Sequence, residues 1–97
     1  MNTPDWKRIG ARIQDVRLQR KISRKEMQAL TGLDESTLCN SEHGHAHPSL
    51  EALLRIVDVL DISLDYIIYG IRPLHSADGL VFRSDDELEE TYLLTED

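Results

Sequence analysis

At 97 residues the chain has room for one packed domain with a short appendage, and two full domains are excluded. With 40% hydrophobic and 30% charged residues, five glycines and three prolines, neither wholesale disorder nor a fibrous repeat fits. The net charge of −7 argues by itself against a polyanionic partner, but it is unevenly spread: residues 5–30 hold eight basic residues against three acidic, residues 31–71 hold Arg55 against seven acids, and the last 26 residues hold Arg72 and Arg83 against eight.

Helical signals fill the first 70 residues. Trp6, Ile9, Ile13 and Val16 recur at spacings of three and four, which places them on one face of a first helix ending near Lys21. Ser23 and Glu26 form a capping box, with Ile22 and Met27 at the positions of a hydrophobic staple, so a short second helix starts at Arg24 and runs to about Leu30. Gly32 supplies the left-handed conformation that ends it. Asp34 then caps a third helix, with Leu33 and Leu38 as its staple. That helix stops near Gly44, and residues 43–48 read as a loop. Ser49 caps a fourth helix, apolar around most of its circumference and therefore expected at the centre of the core. Asp61 tolerates the left-handed turn after it. Ser63 caps a fifth, with Ile62 and Ile67 as staple and Gly70 as stop. From Arg72 the composition becomes that of a linker, followed by a strand-like run, Leu80–Val81–Phe82. A last capping box, Ser84 with Glu87, opens a short acidic helix carrying Leu88 and Tyr92.

Five short helices, the second and third joined by a tight glycine turn, form the arrangement in which one helix braces a second that enters the DNA major groove. The residues themselves carry a resemblance. From Arg8 to Gly70 the chain, including ARIQDVRLQRKISRKEMQALTGLDESTL, SEHG and PSLEALLRIVDVLDISLDYIIYG, resembles the Cro/CI-like, or xenobiotic-response-element-like (XRE), repressors of temperate phages and bacteria. Gly32, Ser36–Thr37, Glu42, Gly44, Pro48–Ser49 and Ser63–Leu64–Asp65 fall at that family's spacings. The resemblance implies an all-α, five-helix lambda-repressor-like domain over residues 5–71; residues 72–97 read, from their own composition, as an acidic extension with a strand-like run and a short helix that serves as a dimerisation element. The resemblance further implies a homodimeric transcriptional repressor that binds a palindromic double-stranded operator, its recognition helix at about residues 35–43 in the major groove; the lone Cys39 makes a reducing cytoplasm the expected compartment. A dimer also follows from economy, because one recognition helix reads too few base pairs.

Carried over residue by residue, the resemblance assigns Arg12, Arg24 and His45 to phosphates and Glu35, Ser36 and Asn40, with Thr37 between them, to base reading. Arg17 and Glu42 match a pair that bridges helices one and three internally. Asp34 is a cap rather than a contact. Ser41 stands where an aliphatic residue is usual, so its hydroxyl needs a partner. Ile67, Ile68, Tyr69 and Ile71 lie where such domains pair, and Leu80, Val81, Phe82, Leu88, Tyr92 and Leu93 are expected to add interface.

The departures keep a second class open. Histidines at 43, 45 and 47 stand where relatives carry lysine or arginine, and neutral imidazoles add little to phosphate binding. A helix-turn-helix module that binds protein, such as an antitoxin or antirepressor, with the acidic tail as a partner surface, is the alternative. Cys39 and the three histidines crowd soft donors into nine residues but lack a characteristic metal spacing, so no metal or cofactor is assigned. No phosphate cradle or nucleophile elbow appears, which argues against an enzyme, and no leader or long apolar run marks secretion or a membrane span.

Overall fold

A computed structural model describes residues 4–73 and 79–93. They form six α-helices: α1 (Trp6–Gln19), α2 (Arg24–Thr31), α3 (Glu35–His43), α4 (Leu50–Leu60), α5 (Leu64–Tyr69) and α6 (Asp85–Leu88), the last continuing as a π-helical stretch over Glu89–Leu93. The expected starts are all present, because each is fixed by chemistry within four residues. Ser23, Asp34, Ser49, Ser63 and Ser84 each accept a backbone N–H of the following turn, and Ser23–Glu26 and Ser84–Glu87 close both halves of a capping box. The helix ends are as local: Gly32, Gly44 and Gly70 are left-handed, and so is Asp61 at φ 53°.

The core takes Ile9, Ile13 and Val16 from α1, Met27 from α2, Leu38 from α3, Leu53, Ile56 and Leu60 from α4 and Tyr66 and Ile67 from α5. Helix α4 departs from expectation. Leu50 and Leu54 are 67% and 47% exposed, so the helix is amphipathic and lies against the core rather than through it. An apolar circumference in sequence does not say how many neighbours the chain supplies. At the α1–α3 contact a Cβ on Gly10 would stand 2.4 Å from the carbonyl oxygens of Ser41 and Glu42, so the two backbones meet where only glycine fits. The Ser41 hydroxyl finds its partner in the Thr37 carbonyl, 2.7 Å away.

The C-terminal extension does not stand apart from the domain. No strand is present among the described residues: Leu80–Phe82 runs extended over α1, and the Gln19 side-chain amide takes the place of a neighbouring strand by accepting from Val81 N–H at 2.9 Å and donating to Val81 O at 2.8 Å. Leu80 and Leu88 are buried, and Phe82 meets the Tyr66 ring edge-on at 4.8 Å. Arg83 pairs with the buried carboxylate of Asp15 at 3.1 Å, and the Tyr92 hydroxyl donates to the same carboxylate at 3.1 Å. Leu88, Phe82 and Tyr92, expected against a partner chain, therefore pack on α1 and α5 of their own chain. The sequence shows that these side chains need cover but not which surface supplies it.

Candidate nucleic-acid interface

Helices α2 and α3 are joined by Gly32–Leu33–Asp34, and the turn sets the start of α3 at the surface. Asp34 is occupied as a cap, its carboxylate accepting from Thr37 N–H at 2.8 Å, and those hydrogen bonds hold its carboxyl below the usual carboxylate range. Glu35 and Ser36 are exposed on the first turn; Thr37 and Asn40 are half-buried on the same side. The Asn40 amide lies 3.4 Å from the Ser36 hydroxyl, a long bond that leaves most of the amide's capacity for another partner. Ser36, Thr37 and Asn40 line a shallow groove closed on its far side by Ala46, His47 and Ser49.

The loop after α3 is held by α1. The rings of His47 and Trp6 stack 4.5 Å apart, and Gly44 lies against the Lys7 backbone so closely that a Cβ would come within 2.7 Å of the Lys7 Cα. His45 is exposed, 5.5 Å from the His43 ring. Cys39 Sγ lies 3.4 Å from His43 Nδ1, but no group of three metal-ligating side chains is assembled among the described residues, and the stacking on Trp6 draws His47 away. Trp6 as the anchor of this loop was not legible in sequence, where it reads as a core residue.

The basic front divides sharply. Arg17 grips Glu42 with both arms, at 2.7 and 3.1 Å, and donates to the Ile22 carbonyl at 2.9 Å. Arg20 donates to the carbonyls of Leu60 and Asp61 at the end of α4, and so caps that helix instead of facing solvent. Arg8 faces Asp5, Asp85 and Glu89. Arg12 corrects the phosphate assignment. Its side chain is 6% exposed, donating at 3.1 and 3.2 Å to the Ile67 and Ile68 carbonyls at the end of α5 and at 2.9 Å to Asp85. It faces away from α3 because positions 8, 12, 15 and 19 share a stripe of α1 roughly opposite the Gly10 and Arg17 stripe that meets α3. Arg24 remains on the α3 side, 30% exposed, with Nη2 3.4 Å from Glu42, and Lys21 and Lys25 are exposed beside it. The structure thus brings Glu35, Ser36, Thr37, Asn40, Arg24 and His45 to the α2–α3–loop side and leaves Arg12 out.

A helix-turn-helix family model matches residues 13–67. The chain is 30% identical over 63 residues, 65% of its own length and 70% of the relative's, to the ImmF control region 10 kDa protein of Bacillus phage phi105. Its fold is similar to that of the restriction-modification controller protein C.AhdI from Aeromonas hydrophila, with a TM-score of 0.62 and 28% identity, over 66% of this chain and 97% of that one.

Proposed function

Because the chain belongs to the helix-turn-helix family, we propose that it is a DNA-binding transcriptional regulator that acts as a homodimeric repressor, placing α3 in the major groove of a palindromic operator. The observation that carries this reading is the α3 surface: Ser36, Thr37 and Asn40 stand together on one side of the helix, with Arg24 and the His45 loop flanking them where phosphates would run. Asn40 has the geometry for adenine, and Glu35 can accept from cytosine N4. The similarity to a phage control-region protein and to a restriction-modification controller protein supports a regulatory role.

The dimer surface is proposed at the end of α5. Tyr69 and Ile71 are 72% and 57% exposed and adjoin half-buried Ile68, whereas Ile67 is spent in the core. No helix among the described residues is long and apolar enough to cross a membrane.

The test is retention on immobilised heparin and binding to mixed duplex across a salt series. Affinity that falls linearly on a log–log salt plot supports DNA binding. Indifference to salt and DNA would favour the protein-binding module instead, a reading supported by Glu35 at the recognition-helix entrance and by the acids of α6.

A further inference from the structure

Glu42 accepts from two arginines on two different helices. Its carboxylate is 1% exposed at the end of α3; Arg17 reaches it from α1 with both Nε and Nη2, and Arg24 reaches the same Oε1 from the first position of α2. Two guanidinium charges thus share one buried carboxylate, which leaves the junction of the three helices with a net positive charge. The Arg17 contacts are short and two-armed. The Arg24 contact is a single arm at 3.4 Å, and Arg24 Nε is shielded from water with no hydrogen-bond partner among the described residues. A guanidinium held by one arm, with an unmet donor and a partly exposed face, is oriented but not satisfied.

We propose that Glu42 is a positioning residue for Arg24, holding one arm of its guanidinium from behind so that the remaining donors are set to take a backbone phosphate. The inference rests on the DNA-binding reading above and adds the mechanism by which an arginine at this place is used. Arg17 is part of the device: its two arms occupy both oxygens of the carboxylate, so Arg24 shares Oε1 with Arg17 Nη2 and is held by one arm rather than drawn inward as a two-armed salt bridge. A planar fork can hold the carboxylate and a phosphate with different N–H groups, whereas a lysine ammonium is a point charge on a flexible stem and loses that division of labour.

The experiment uses the full chain and random duplex DNA, with affinity measured by fluorescence anisotropy at 50 and 200 mM salt and with thermal melts alongside. Arg24→Gln removes one phosphate contact, so its loss relative to wild type is expected to be about fourfold larger at the lower salt. Arg24→Lys is expected to fall most of the way to Arg24→Gln despite its retained charge. Glu42→Gln is expected to weaken binding in the wild-type background and to add nothing in the Arg24→Gln background, whatever it does to melting. Wild-type affinity and salt slope in Arg24→Lys, or an equal Glu42→Gln loss in both backgrounds, would overturn the proposal, and so would an Arg24→Gln variant that binds like wild type. Should Glu42→Gln fail to fold, the Arg24→Lys comparison decides alone. If the wild-type chain shows no salt-dependent binding, the DNA-binding reading itself fails, an outcome separate from all of these.

Discussion

The carboxyl group of Asp15 is 1% exposed, accepts from Gln19 and Tyr92 and is ion-paired with Arg83, yet loss of water dominates and pushes it above the ordinary carboxylate range. A folded value above the unfolded one means that the ionised form costs stability, so this group favours the fold as pH falls from neutral through the raised value. Hydrogen bonds from Ser23, Thr37 and Ser84 hold Glu26, Asp34 and Glu87, respectively, lower than usual; their contribution is present above the unfolded carboxylate range and is lost as pH falls through the depressed values. Melting temperature is therefore expected to rise on mild acidification before it falls. Asp15→Asn at pH 7 is expected to be neutral or stabilising, because the amide keeps a hydrogen bond from Tyr92 and Arg83, 38% exposed, can return to water. A drop of several degrees at pH 7 would show that the Arg83 pair outweighs desolvation. Tyr92, pushed up to about 12 by burial and the adjacent Asp15 charge, stays protonated throughout that range. On α3, Asn40→Ala is expected to relax preference at one base pair per half-site and to cost about 1–3 kcal/mol on the cognate operator with little change on random DNA. Equal losses on both would remove Asn40 as a base reader.

At the scale of elements, what was legible in sequence and what was not divide along distance in the chain. Ser23, Asp34, Ser49 and Ser63 announce their helices because a cap and its N–H are three residues apart. Arg12 was misread because its partners, Ile67, Ile68 and Asp85, are more than 50 positions away, and an arginine in a basic stretch gives no sign of facing inward. Gln19 reads as a surface residue until an extended segment arrives to be hydrogen-bonded by it. The placement of Glu35, Ser36, Thr37 and Asn40 on α3 follows from local chemistry, since the Asp34 cap and the Gly32 turn fix where that helix begins. Gly10 gives the sharpest test of helix packing. Gly10→Ala places a methyl against two backbone carbonyls that cannot swing aside, and is expected to destabilise by about 1–3 kcal/mol or more through separation of α1 and α3. Denaturant titration measures this, and an unchanged midpoint would mean that the two helices slide apart at no cost.

For the whole molecule, the extension is part of the core that folds. Leu88→Ala leaves a cavity beneath the π-helical end and is expected to cost about 2–5 kcal/mol, with amides of residues 80–92 losing exchange protection before those of α3 and α4. Uniform loss across the chain would show instead that the extension and the five-helix body unfold as one unit. The proposed dimer predicts that Tyr69→Asp shifts sedimentation towards monomer and weakens operator binding more than random-DNA binding, because only the palindrome requires two recognition helices at once.

The strap across α1 also orders events in time. Gln19 with Val81, Arg12 with Asp85 and Asp15 with Tyr92 are contacts separated by 62, 73 and 77 positions, so α1 waits for residues 81–92 to complete its surroundings. On the ribosome, α1 to α5 can assemble while the extension is still being made, and the apolar sites for Leu80 and Leu88 stay open until residues 80–92 have emerged. Chains interrupted in the linker would carry a formed helix-turn-helix beside an uncovered, adhesive flank. The strap thus makes the arrival of residues 80–92, rather than formation of the α2–α3 unit, the step that closes the apolar flank.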